Sequence, residues 1–217
     1  MKRTILLLTI IVVLNVGLCS QQCYECRKDF DVLLVILKTG KVNPLDLERS
    51  FQITKKLYNL SYTDYIDTVV NNVGYISHSL TKTFGDICIK AGGHLGIDYY
   101  LKYFNFTNGS AEEERCYALE RIFVKFPELV LNTIGKDTLL LSAISWGFYV
   151  NRAYGPRSQN ANKDYNAITV YDNAPKPILN IDNCRKIFFE TNPTLKEKYN
   201  KYKFQIDYII KLATLGP

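Results

Sequence analysis

The chain has 217 residues, 47% apolar and 22% charged, with 27 Lys and Arg against 21 Asp and Glu. That apolar content is enough to bury a core and excludes broad disorder. The formal charge of +6 is spread without a block of five or six like charges. It therefore does not support a nucleic-acid footprint and indicates only a mild pull towards acidic partners.

At the start, Lys2 and Arg3 precede a run from Ile5 to Leu18 that only Thr9, Asn15 and Gly17 interrupt, and Cys19 and Ser20 follow. A basic start, a short apolar middle and a small-residue exit read as a secretory signal peptide. The run is shorter than the ~20 residues a spanning helix needs. Residues 1–20 are expected to be removed, taking Lys2 and Arg3 with them and lowering the charge from +6 to +4. Residues 21–217 are then expected to fold as a single α-helical domain, extracellular or in the lumen of the secretory pathway.

Such a compartment makes cysteines pair. Cleavage after Cys19 or Ser20 leaves Cys23, Cys26, Cys88, Cys116 and Cys184 as a disulfide framework, while earlier cleavage leaves all six cysteines to pair. Five cysteines make at most two bridges and one odd thiol, which allows a disulfide-linked dimer. Cys23-x-x-Cys26 has no strand before it, so a redox role is disfavoured and a structural one expected. Two cysteines three apart on a helix are awkward partners for each other, so each is expected to reach a distant one. Sequons at Asn59, Asn105 and Asn108 are candidate glycosylation sites. About two would arise by chance in a chain of this composition, so they accompany the secreted reading without establishing it.

Apolar residues recur at helical spacing almost throughout. Cys23, Cys26, Phe30, Leu33, Leu34 and Leu37 make a first helix ending before Gly40. Asn43-Pro44 offers a cap and a first-turn proline for a second, through Leu47, Phe51, Thr54 and Tyr58. A third carries Tyr62, Tyr65, Ile66, Val69, Val73, Ile76 and Leu80. Gly85, Gly92, Gly93 and Gly96 predict loop or short turns around Cys88, followed by a brief amphipathic piece with Ile97, Tyr100, Leu101 and Phe104. Ser110-Ala111-Glu112-Glu113 is a capping box for a helix with Cys116, Leu119, Ile122, Phe123 and Phe126, breaking at Pro127. Leu129–Ile134 and Leu139–Val150 follow, the second a core helix too short to span a membrane. Residues 151–176 break the pattern as one long polar loop, weighed between simple excursion and binding loop. Helices around Ile181–Phe189 and after Asn192-Pro193 close the chain, the last with a stripe of Leu195, Tyr199, Tyr202, Ile206 and Ile209. The fold class expected is all-α: a disulfide-stapled bundle of about seven to nine helices. The 16 Tyr are expected on half-buried helix faces, rings packed and hydroxyls wet.

Reactive constellations are sparse. His78 falls off its helix stripe. His94 sits four residues before Asp98 among glycines, with no second ligand nearby. No nucleophile elbow, zinc-protease motif or phosphate-cradling loop is present. No catalytic, cofactor-binding or metal-ligating residue is assigned, and a non-enzyme is expected. An enzyme of unfamiliar type would have to rest on His94, Asp98 and the 151–176 loop.

Lys196, Lys198 and Lys203 flank the last helix, with Lys201 and Lys211 beside them. Such lysines suit either a solvated helix or weak contact with an anionic membrane surface, the solvated reading being favoured because Glu197 and Asp207 dilute the charge. Over residues 23–94, Cys23-Tyr24-Glu25-Cys26, the apolar helix to Leu37, Lys38-Thr39-Gly40-Lys41, and Ile76, Leu80 and Gly85-Asp86-Ile87-Cys88 resemble the order of elements in saposin-like domains. Three of that family's six cysteines are missing here. The resemblance implies a lipid-binding helical module and a Cys26–Cys88 pair. The function expected is a secreted binding protein whose partner is a protein or an apolar ligand, with a lipid-binding or membrane-active module as the alternative.

Overall fold

The computed structural model describes residues 25–61, 70–107, 112–149 and 180–215, apart from the side chains of 60–61, 70–79 and 112–113. Among the described residues every element is helical, which makes the fold class all-α. Among the described residues ten helices follow one another: α1 over 25–38, α2 Pro44–Ser61, α3 Val70–Ala91, α4 Gly93–Phe106, α5 Glu112–Lys125, α6 Pro127–Ile134, α7 Thr138–Phe148, α8 Ile181–Thr191, α9 Pro193–Glu197 and α10 Lys203–Leu215.

Local chemistry accounts for most boundaries. Asn43 accepts from the Asp46 N–H at 2.9 Å while Asp46 reaches back to the Asn43 N–H at 3.5 Å, a reciprocal cap with Pro44 at the first helical position. Asp137 Oδ1 accepts from the N–H groups of Leu139 and Leu140 and starts α7. The Asn180 side chain accepts from the Asn183 N–H at 2.8 Å and starts α8.

The helices pack in series. α2 and α4 lie on α3, α3 lies on α5, α5 on α7, and α7 on α10, which also meets α8. α1 is tied to this stack by Asp29 with Lys56 at 2.7 Å and by Lys90 donating to the Leu37 carbonyl at 2.7 Å. One continuous apolar core runs from Leu33 and Leu47 to Ile209 and Ile210.

The glycine-rich region is not a loop. α3 runs unbroken through Gly85 and Cys88, and Gly96 lies inside α4. Gly85 and Gly96 serve close helix contact instead. A Cβ on Gly85 would meet the Ala118 Cβ at 3.0 Å, and one on Gly96 would collide with the Cys88 carbonyl. Only Gly92 and Gly93, both at positive φ, make the turn between the two helices. The closing helix is likewise two: α9 ends at Glu197, and residues 198–202 turn by i→i+3 bonds such as Tyr202 N–H to the Tyr199 carbonyl at 3.1 Å before α10 begins. Four lysines and Asn200 in eight residues weaken a continuous helix here, and the turn buries Tyr202 with its hydroxyl on Asn132 Oδ1 at 3.0 Å.

Several tyrosines are deeper than half-buried helix faces would place them. Tyr100 and Tyr103 are core residues beside Phe84, with hydroxyls on the Arg115 carbonyl (2.9 Å) and Thr81 Oγ1 (2.6 Å). Burial requires such partners. No disulfide joins any two of Cys26, Cys88, Cys116 and Cys184, so the Cys26–Cys88 pair is not formed. Cys19, Cys23, Tyr62 to Val69, Ser110 and the 151–176 segment lie outside the described residues.

Candidate interaction face

On α10, Ile206, Ile209, Ile210 and Ala213 are buried against α7 and α8. Phe204, Tyr208, Lys211 and Leu215 stand on the opposite side. At ~100° per residue those four fall within an arc of about 60°, centred half a turn from the buried set. Phe204 is 45% exposed and Leu215 71% exposed. The Phe204 and Tyr208 rings are stacked at 6.0 Å.

α7 extends this face. Its Ser142 hydroxyl lies 3.4 Å from the Tyr208 hydroxyl, and the Lys136 ammonium, just before the helix, sits 5.5 Å from the centre of the Phe204 ring. Leu139 lies between these two contacts and is 65% exposed. An exposed leucine alone carries no information, but Leu139 of α7 and Phe204, Tyr208 and Leu215 of α10 share the outward side of two packed helices.

The charges around the patch are not balanced. Asp207 faces Lys203, Arg185 (3.5 Å) and the Tyr199 hydroxyl (2.7 Å). Burial pushes its carboxyl up, yet the hydrogen bonds from Lys203 and Tyr199 outweigh this and hold it below the usual aspartate value. Asp137 is committed to the start of α7. Among the described residues neither Lys136 nor Lys211 has a carboxylate partner.

The three lysines singled out from the sequence make different contacts. Lys198 bonds Glu128 of α6 at 2.7 Å, and that contact raises its pKa. Lys203 is held by Asp207, which raises its pKa, and by the Tyr199 hydroxyl at 3.2 Å. Lys196 belongs to α9, where it borders an open hollow of about 480 Å³ with Asp182, Arg185, Lys186, Phe189 and Glu190. Sequence periodicity passes over Phe204 and Leu215 because it follows the buried stripe. Their signal is that both are large, apolar and off that stripe.

His94 and Asp98 are one turn apart on α4 and both exposed. His78 falls outside the described side chains. Among the described residues no group of His, Cys, Asp and Glu has the arrangement of a metal site. Asn59 and Asn105 are exposed in the last turns of α2 and α4, next to the contact of Tyr58 with Phe106 at 5.8 Å. Asn108 lies beyond the described residues. Comparison with family models, curated proteins and solved structures finds no match.

Proposed function

We propose that this chain is a secreted, N-glycosylated helical protein that works by binding rather than by catalysis, through the α7–α10 face. The observation that carries the reading is that exposed Leu139, Phe204 and Leu215 and half-buried Tyr208 share the outward side of two packed helices, with Phe204 stacked on Tyr208 and Tyr208 meeting Ser142 of α7. The basic, apolar and small-residue order of residues 1–20 supports secretion. Exposed acceptors at Asn59 and Asn105 support glycosylation.

Disulfide pairing belongs to the same reading. Cys184 points its thiol at the Ile210 carbonyl of α10 at 3.8 Å, and Cys88 is buried on α3. Bridging in this reading joins Cys23 to a distant cysteine such as Cys116, or to a second chain. Expression of the full chain in cultured eukaryotic cells tests the proposal. The expected product is in the medium, lacks the leader and gains mobility on glycosidase treatment. Retention in the cells with residues 1–20 intact would contradict it.

A further inference from the structure

Phe204, Tyr208, Lys211 and Leu215 occupy the outer side of a helix whose other side is locked into the core. Such a convex face suits a partner that yields around protruding side chains, as a lipid interface does. A folded protein would have to supply a matching groove. The residue types agree with a helix lying in the plane of a membrane surface, with Phe and Leu deepest, Tyr at the headgroup level and Lys beside them.

Charge points the same way. Lys136 and Lys211 are exposed and lack carboxylate partners among the described residues, while Asp207 and Asp137 are already engaged. The patch therefore presents unbalanced positive charge around an apolar centre, which complements an anionic headgroup layer. The acceptors Asn59 and Asn105 sit on α2 and α4, at the other end of the packing series α2–α3–α5–α7–α10. Glycans there leave the α10 face uncovered. No described helix is long and apolar enough to cross a membrane, so the contact is peripheral.

We infer that the α7–α10 face docks on an anionic bilayer, with Leu139, Phe204 and Leu215 entering the acyl boundary and Lys136 and Lys211 meeting the lipid headgroups. This rests on the proposal that the same face is the binding face. It relocates membrane contact from Lys196, Lys198 and Lys203 to a different set of residues.

The test is co-sedimentation of the mature protein with vesicles of phosphatidylcholine alone and of phosphatidylcholine mixed with phosphatidylserine. The wild type is expected to bind only the mixed vesicles, and to release as salt rises to screen the lysines. F204D/L215D, folded by circular dichroism, is expected to bind about tenfold less, because charged side chains resist the acyl boundary. K136E/K211E is expected to lose the salt-sensitive binding.

No wild-type binding to mixed vesicles overturns the inference. So does equal binding by the variants, which would move the contact to another face. A dimer that F204D/L215D dissociates, without vesicle binding, assigns the face to a second copy and also overturns it. Failure here is separable from failure of the secreted reading. A protein that reaches the medium but ignores vesicles refutes only the lipid partner. One retained in cells whose purified form binds vesicles refutes only secretion.

Discussion

Gly96 of α4 lies so close to the Cys88 carbonyl of α3 that a methyl group on it would collide with that oxygen. The obstacle is backbone, which cannot rotate away. Gly96→Ala is expected to lower stability by about 1–3 kcal/mol, despite alanine's better helix propensity. Gly40, where a methyl group would meet nothing within 4 Å, serves as the control, with Gly40→Ala expected within about 0.5 kcal/mol of wild type. Urea denaturation of both variants checks the contrast, and equal midpoints would refute the close α3–α4 contact.

A second prediction concerns Arg115 of α5, buried against the C-terminal end of α4. Its Nη1 donates to the Phe104 carbonyl at 2.9 Å and to the Thr107 carbonyl, and its guanidinium lies 4.7 Å from the Phe104 ring centre. Those carbonyls belong to the last turn of a helix, which has no partners of its own for them. Arg115→Met is expected to cost about 1.5–3 kcal/mol, the range for hydrogen bonds to charged groups. Arg115→Lys is expected to rescue little, because a lysine ammonium sits one bond closer to the backbone than Nη1 and has no planar face to lay on the Phe104 ring. Thermal melts of the two variants provide the measurement, and full rescue by Lys would show that charge alone matters.

The fold class is legible in the sequence because burial follows the helical period, and α2, α6, α7 and α8 begin close to where their caps and prolines stand. Glycine misleads at Gly85 and Gly96. The local signal for a break and the tertiary signal for close helix contact use the same residue, and only the neighbouring helix distinguishes them. The turn at 198–202 is hidden for a related reason. Leu195, Tyr199, Tyr202, Ile206 and Ile209 keep helical spacing across it, and Leu195, Tyr202, Ile206 and Ile209 are still buried. The proposed interaction face is half legible. Its helix is marked by the stripe, but its outward side depends on which neighbours α10 packs against, and no single-chain periodicity gives that.

Acid should loosen the end of the molecule built on α8 and α10. Asp207 has a folded pKa below its unfolded value, set by the opposing push of burial and the stronger pull of Lys203 and Tyr199. Its contribution is therefore present above the unfolded value near 3.8 and is lost as pH falls through the lower folded value. The effect is below about 1 kcal/mol, since the carboxyl is partly solvated. Asp207→Asn is expected to reduce the drop in melting temperature between neutral pH and about pH 3. An unchanged drop would remove Asp207 from the acid response.

The thiols give a further test. Burial alone pushes Cys88 well above the ordinary thiol value and Cys184 up to about 11. Both should resist iodoacetamide in the native protein near neutral pH, because the thiolate is the reacting form. In denaturant without reductant both should be alkylated, and peptide mapping identifies them. Finding either in a disulfide would contradict the packing of α3 or α8.

The central claim is a secreted, glycosylated helical protein, and intact mass of the purified product tests it most directly. The sample is alkylated in denaturant without reductant and weighed before and after glycosidase treatment. The account predicts a chain beginning at Ser20 or Gln21, glycan mass removed by the glycosidase, and at least two alkylated cysteines. A chain that retains Met1–Cys19 and loses no mass on deglycosylation would contradict it.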